Sequence, residues 1–381
     1  MVSFIPMIKK AWSESAMIEF DLEIPRDIQA LKHLRLVNKI FDRAASPYLF
    51  QTRSATTCGS LGSLAVLSRS RHACHVRVLF VYWPQRDHQD YIRSVQMILP
   101  AAVSRLISLR KLTICGSELP RERFSAYEHL RMTEAVCNTL QQTRLNDLES
   151  LEIESPSAHC LARLVKTATV QSHENGQNDL PVLMRKLRQL KVRIYPDDYA
   201  FRLGLKTQLD PTGYLPPPEH QHLDVLIQLV NLAPNLEFMA IQGGYRTLNL
   251  NPLNMQNFIH LQELRFCAAK TSSYELWRFF WHHKDTLQTV RLARIGLTAG
   301  TWVELQLNMR SLSKLMAFSL DKCEYYDSTL RRNRDITPQD AIAFGALQSQ
   351  ITRNRLEAGI VFNMIEYVRG SGEGVNRVHQ V

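Results

Sequence analysis

The side chains of this sequence able to hold a metal or move a proton are its histidines, cysteines and carboxylates, so their spacing is weighed first. His72, Cys74 and His75 sit close together, as do His220 and His222, and His282 and His283 are adjacent. A metal centre needs three or four ligands converging at fixed distances, usually supplied as two separated pairs. These groups offer no second pair at such a spacing. The seven cysteines, at 58, 74, 115, 137, 160, 267 and 323, include no Cys-x-x-Cys. That pattern predicts buried thiols in a reducing compartment, cytoplasmic or nuclear, rather than disulfides or zinc. Nucleophilic chemistry finds no better footing. There is no Gly-x-Ser-x-Gly elbow and no His-Glu-x-x-His, and the Gly59-x-x-Gly62 stretch lacks the Gly-Lys-Ser/Thr of a phosphate loop. No pair of Asp and Glu is singled out by spacing. The expectation is a chain that is not an enzyme and uses no cofactor.

What recurs instead is leucine. HLQELRF at 260–266, TLQTVRL at 286–292 and KLMAFSL at 314–320 each fit L-x-x-L-x-L, with Leu261, Leu287 and Leu315 at steps of 26 and 28 residues. Five degenerate copies precede them, starting at Val76, Leu109, Leu148, Leu187 and Leu236, with steps of 33, 39, 39, 49 and 25. Leucine-rich repeats run about 20 to 29 residues, each a short strand and a helical or irregular return. Alternate side chains of a strand point to opposite faces. One apolar strand face cannot be buried alone, so neighbouring copies must stack. In the return SYELWRFFWHH, Leu276, Phe279, Phe280 and His283 fall at helical spacing, with Ser272 or Ser273 as N-cap. His283 continues that apolar stripe, and Trp277 and Trp281 are expected to pack between repeats. The fold class predicted is α/β, an irregular leucine-rich-repeat solenoid with parallel strands on the concave face and helices on the convex face.

The residues between the leucines then face outward, and they are the candidates for recognition. They are Lys111 and Thr113, Ser150 and Glu152, Gln189 and Lys191, Phe238 and Ala240, Glu263 and Arg265, and Thr289 and Arg291. This surface is mixed in charge and mildly basic, with Phe238 as an apolar anchor; aromatic and arginine side chains most often dominate binding energy.

The whole chain sets the bounds. At 381 residues it can bury a sizeable core, and no run of about 18 apolar residues predicts a membrane span. The start, MVSFIPMIKKAWSESAM, is too polar for a signal peptide. Net charge is +10, but the basic residues are spread among acidic neighbours. A solvated surface accounts for them, and only the overall charge speaks for a nucleic-acid partner. The polar stretch 171–179 and the proline-rich 210–222 read as loops, and 336–370 as one or two helices before a polar tail.

Residues 27–50 form a different unit. Leu31, Leu34, Val37, Phe41 and Ala45 recur every three or four positions, which predicts one amphipathic helix, with Asp27 at its N-cap and Pro47 at its stop. Leu34-Arg35-Leu36-Val37-Asn38-Lys39-x-Phe41, then Ala45-x-Pro47-x-Leu49-Phe50, resembles the C-terminal half of an F-box. The Leu-Pro-x-Glu segment that usually opens an F-box has no counterpart here; Glu23-Ile24-Pro25 is the nearest. Residues 27–370 as a whole, including YELWRFFWHHKDTLQTVRLARIGLTAGTW, resemble filamentous-fungal F-box/leucine-rich-repeat proteins. The resemblance implies a helical module at 1–55 that docks on the adaptor of an SCF-type ubiquitin ligase through Leu34, Leu36, Val37, Phe41, Pro47, Leu49 and Phe50. It implies a solenoid at 56–323 that holds a target protein on its concave face, and a helical cap and tail at 324–381. On that reading the chain is a substrate-recognition subunit, monomeric by itself. The alternative is a leucine-rich-repeat scaffold or regulator with a decayed F-box, working outside any ligase.

Overall fold

The computed structural model describes residues 26–82, 88–115, 126–142, 147–155, 180–194, 221–247, 258–327, 332–334 and 337–360, together with Leu145 and Val165. The expected loop at 171–179 and the tail at 370–381 lie outside them.

Each repeat start marks a strand that begins two residues later. The strands are β1 (Thr52–Ala55), β2 (Val78–Tyr82), β3 (Lys111–Cys115), β4 (Ser150–Ser155), β5 (Gln189–Ile194), β6 (Phe238–Thr247), β7 (Glu263–Ser272), β8 (Thr289–Ala299) and β9 (Ala317–Asp321). Consecutive strands pair in parallel with no slip at their first residues: Thr52, Val78, Lys111, Ser150, Gln189, Phe238, Glu263, Thr289 and Ala317 stand side by side. The carbonyl just before each strand sets this register. Arg77 O, for example, accepts from Arg110 N and Lys111 N at 2.8 and 2.9 Å, and Gln262 O accepts from Gln288 N and Thr289 N. The same fork recurs between successive copies from Gln51 to Gln288.

Three apolar columns run under the sheet. The first holds Val76, Leu109, Leu148, Leu187, Leu236, Leu261, Leu287 and Leu315, all buried. The second runs from Leu79 through Leu112, Leu151, Leu190, Met239, Leu264 and Val290 to Phe318, and the third from Ala55 and Val81 to Leu292. Burying one such side chain stabilises by roughly 1.5–3 kcal/mol, which is why leucine can be repeated through returns of very different length. The chain is an α/β leucine-rich-repeat solenoid. Its sheet starts at Thr52, earlier than the boundary expected at residue 56, because Phe50, Arg53 and Ala55 form a ninth copy that contains no leucine.

The returns place helices on one side of the sheet: α3 (Cys58–Ser68), α4 (His88–Val103), α5 (Ala126–Gln142), α6 (Leu180–Lys186), α7 (Gln221–Asn231), α8 (Ser273–His282) and α9 (Trp302–Met309). Gln221 and His222, expected in a loop, open α7. Ser272 is the N-cap of α8 and forms a capping box with Glu275; Thr301 and Glu304 do the same for α9. Such reciprocal bonds satisfy two otherwise orphaned backbone donors. Leu276, Phe279, Phe280 and His283 are buried, as their spacing predicted. The Trp277 and Trp281 rings lie 5.2 Å apart, the first against the core and the second partly exposed beneath the Lys284 ammonium.

In the last repeats the strand runs on past its third column by way of a recurring kink. Ala268, Arg294 and Lys322 each follow their strand start by five residues, and each has φ between 51 and 54°. A left-handed residue shifts the in-out alternation by one, so that Ala269, Ile295 and Cys323 turn inward. Cys323 donates from Sγ to Leu292 O at 3.4 Å. β8 therefore pairs β9 over its first half and β10 (Glu324–Asp327) over its second, and β10 pairs the antiparallel β11 (Arg332–Arg334).

Helices stand at both ends of the sheet. α10 (Pro338–Glu357) lies over the last repeat; Gln348 and Asn354 donate to Phe318 O, Leu312 O and Leu315 O at 2.9–3.0 Å. At the other end the single helix expected for 27–50 is two, α1 (Arg26–Val37) and α2 (Lys39–Phe50). Asn38 is extended, and its side chain accepts from Ile40 N and Phe41 N, which ends one helix and starts the next. Asp27 lies inside the first turn of α1 rather than before it, and Pro47 lies inside α2 rather than ending it. A proline so near a helix C-terminus removes only one intrahelical hydrogen bond.

Candidate interaction surfaces

The open face of the sheet carries ladders of polar side chains, built by the register described above. Its third-position ladder holds Lys111, Ser150, Gln189, Phe238, Glu263 and Thr289; its fifth-position ladder holds Thr113, Glu152, Lys191, Ala240, Arg265 and Arg291. Two of these depart from the expectation of exposure. Thr113 and Ala240 are buried, because each lies between longer neighbours in its ladder: Phe80 and Glu152 flank Thr113, and Lys191 and Arg265 flank Ala240. Thr113 Oγ1 has no hydrogen-bond partner among the described residues.

The charges on this face are largely matched along the ladders. Glu152 pairs with Lys191 and, at 4.0 Å, with Lys111. Glu263 pairs with Arg265 at 2.6 Å and Arg291 at 3.7 Å, and the Arg265 guanidinium stands 5.0 Å from the centre of the Phe238 ring. One carboxylate thus serves two guanidinium groups beside a half-buried aromatic ring, leaving that part of the face cationic. The expected recognition residues Phe238, Glu263, Arg265 and Arg291 are brought together; Lys111, Glu152 and Lys191 form a second group.

A further ladder belongs to the second group. Tyr82, Cys115, Glu154, Arg193 and Gln242 follow at the seventh position of their repeats. Arg193 pairs with the buried Glu154 at 2.9 Å and donates to Gln242 Oε1 at 2.7 Å. Burial, reinforced by Glu154 and Glu152, pushes the Cys115 thiol up to about 12, and burial with the same charges and Cys115 raises the Tyr82 hydroxyl. Both shifts favour the protonated forms, and a thiol is a weak nucleophile compared with its thiolate. Continuing the two-residue alternation one step past the fifth position finds this ladder in the sequence.

The second candidate surface lies on α1 and α2. Leu36 is 76 % exposed, Val37 66 %, Ile40 76 % and Tyr48 50 %, and Pro47 is exposed beside them in the sequence. Of the other residues expected to dock, Phe41, Leu49 and Phe50 are half-buried, and the Leu34 side chain lies outside the description. Ile40 and Tyr48 belong to this apolar group but fall off the three-and-four stripe drawn through Asn38. Treating Asn38 as a cap rather than as a position in one helix recovers them. The pair is anchored on the repeats through the buried Asp42, which accepts from Arg71 at 2.5 Å and lies 3.7 Å from Arg35.

Among the described residues the histidine groups do not converge. Cys74 Sγ is 3.8 Å from His75 Nδ1, and His72 stacks on Phe50 at 4.5 Å. His283 is buried against Phe279, with ring centres 4.7 Å apart; burial, and then His282, lowers it to about 4. His220 and the His222 side chain lie outside the description. Among the described residues no three His, Cys, Asp or Glu side chains are placed to share a metal ion, and no helix is long and apolar enough to cross a membrane.

No protein-family model matches this sequence, and no curated protein does. Among solved structures, the chain is similar to an internalin from Listeria monocytogenes, at 12 % identity over 69 % of this chain and 65 % of that one, with a TM-score of 0.30. The match thus spans just under two thirds of the internalin's length. It is also similar to a Bacteroides fragilis protein, at 12 % identity over 72 % of this chain and 76 % of that one, with a TM-score of 0.35.

Proposed function

We propose that this chain is the target-holding subunit of an SCF-type ubiquitin ligase: the α1–α2 pair docks on the adaptor, and the open face of the repeats holds a protein target. The observation that carries this reading is the exposure of Leu36, Val37, Ile40 and Tyr48 within thirteen residues of one helix pair. Contiguous exposed apolar surface marks a site for a partner, and four such side chains in one short segment support that reading. The F-box-like residues of the same segment support the SCF adaptor as that partner. On the repeats, a cationic, aromatic ladder centred on Phe238, Arg265 and Arg291 suits a protein target that presents carboxylates beside an apolar side chain. The chain makes and breaks no bonds in this role; it raises the local concentration of the target near a ubiquitin-loaded partner.

The test is a pull-down of the purified chain with the SCF adaptor, beside a Leu36→Asp, Ile40→Asp variant. Saturable binding that the variant lacks is expected. An intact chain that does not bind the adaptor overturns the ligase reading. It leaves the second reading, a leucine-rich-repeat scaffold outside any ligase, which the missing Leu-Pro-x-Glu segment favours.

A further inference from the structure

The second apolar column of the sheet begins with an arginine. Arg53 stands in register with Leu79, at the position that Leu112, Leu151 and Leu190 occupy in later copies. Its guanidinium lies over the Phe50 ring at 4.7 Å, and that of Arg35 lies over the same ring at 5.2 Å. His72 stacks on this ring too, 18° from parallel. Arg53 Nε is buried and has no acceptor among the described residues, and burial followed by the charge of Arg35 weakens its hold on a proton. Asp42 is the carboxylate paired at this seam. It accepts from Arg71 Nη2 and Ser46 Oγ, and stands 3.7 Å from Arg35 Nε. Arg35 and Arg71 therefore share one carboxylate and Arg53 has none, so that among the described residues two of the three positive charges lack a counter-ion.

A buried N–H without an acceptor, beside like charges without a counter-ion, is unfavourable. Structure alone does not call for it, since a leucine at this position would complete the column. The planar fork of arginine is matched by the oxygens of a phosphate or a carboxylate, and two net charges are matched by a dianion. We infer that the seam between the helix pair and the first repeat, formed by Arg35, Phe50, Arg53 and Arg71, binds a phosphate dianion. Bound there, phosphate bridges α1 to β1 and holds the helix pair on the repeats. The site is separate from the open face, and the inference does not depend on the ligase reading.

The probe is inorganic phosphate, titrated into the full chain at constant ionic strength and followed by calorimetry and by melting temperature. Saturable binding with a rise in melting temperature is expected. Arg53→Leu is expected to fold, because it continues the leucine column, and to weaken phosphate binding at least tenfold; Arg35→Gln is expected to weaken it similarly. Arg43→Gln, an equal change of charge on an exposed residue of α2, is expected to leave it intact. Phosphate binding unchanged in a folded Arg53→Leu protein, or a rise that never saturates, overturns the inference. So does acetate binding as tightly as phosphate. Phosphoserine binding tenfold tighter than free phosphate identifies a phosphorylated chain as the source of the anion; equal binding identifies the free ion.

Discussion

The two halves of the solenoid solve one packing problem with returns of very different length. From β2 to β5 the strands have five or six residues, and the repeat steps are 33, 39, 39 and 49. From β7 to β9 the steps are 26 and 28, the strand bends at a left-handed residue in the same place each time, and Ser272 and Thr301 close the next helix with capping boxes. Yet the register at the strand starts is kept in both halves, and it shifts only farther along, between Gln242 and Arg246 of β6 and between Thr271 and Ser272 of β7. The three apolar columns and the forked carbonyl before each strand are enough to hold the ladder. In the later half the described residues also show how the return is held, and its tight fit at Gly300 leaves little freedom for substitution there.

That contrast is testable first at glycine. Gly300 has φ +75°, and a Cβ there would lie 1.7 Å from Ser273 Oγ. Gly300→Ala is expected to lower stability by about 4 kcal/mol, combining left-handed strain with overpacking. Adding Ser273→Gly is expected to recover the steric part. In the earlier half a Cβ on Gly62, inside α3, meets nothing within 4 Å, so Gly62→Ala is expected to stabilise by about 0.5–1 kcal/mol. Urea denaturation of the variants measures all of these. A Gly300→Ala protein as stable as Gly62→Ala would erase the distinction between the halves.

A smaller effect comes from His283, which sits at the C-terminus of α8 with Nε2 buried and unpartnered among the described residues. The unfolded chain protonates this group near 6.5 and the folded chain only near 4, where burial and the neighbouring His282 disfavour the charge. Between those values the unfolded state binds more protons, so stability falls as pH falls. A loss of about 2 kcal/mol by pH 5 is expected. Denaturation midpoints measured from pH 7.5 to 5 check it, and His283→Phe should flatten that part of the profile. A profile identical in the variant would remove His283 as its cause.

A change smaller than that at His283 runs in the favourable direction. Gln306 on α9 is fully buried, and neither amide atom has a partner among the described residues. Gln306→Met keeps the shape and removes the unmet polar groups, so a gain of about 1 kcal/mol is expected. Thermal unfolding would show it as a higher midpoint; a lower midpoint would mean that the amide is satisfied.

How much of this was legible in the sequence varied with the physics that carries each part. Eight strands could be placed from Leu109, Leu264 and their equivalents, because column side chains have no substitute for burial. The ninth, β1, was hidden because Arg53 and Ala55 stand where leucines were sought. The kinks at Ala268, Arg294 and Lys322 were hidden as well, since none of these residues announces a positive φ. The division of residues 27–50 turned on Asn38, whose capping role depends on its own backbone angle and is invisible to a periodicity drawn straight through it. On the open face, the third- and fifth-position ladders were readable, but the burial of Thr113 depends on which long side chains stand beside it. That is a property of register across 39 residues, not of local sequence.

The position of α10 has a consequence for growth. A stack of parallel strands is a one-dimensional lattice, and its last member offers a row of unused backbone groups to any strand that arrives, including one from another copy. Here Gln348 and Asn354 donate to carbonyls of the last repeat, and Arg355 donates to Met316 O at 2.5 Å. The same helix rests Phe344 on Phe318. A strand arriving at β9 therefore meets α10 first, and this end of the lattice is covered by side chains of its own chain.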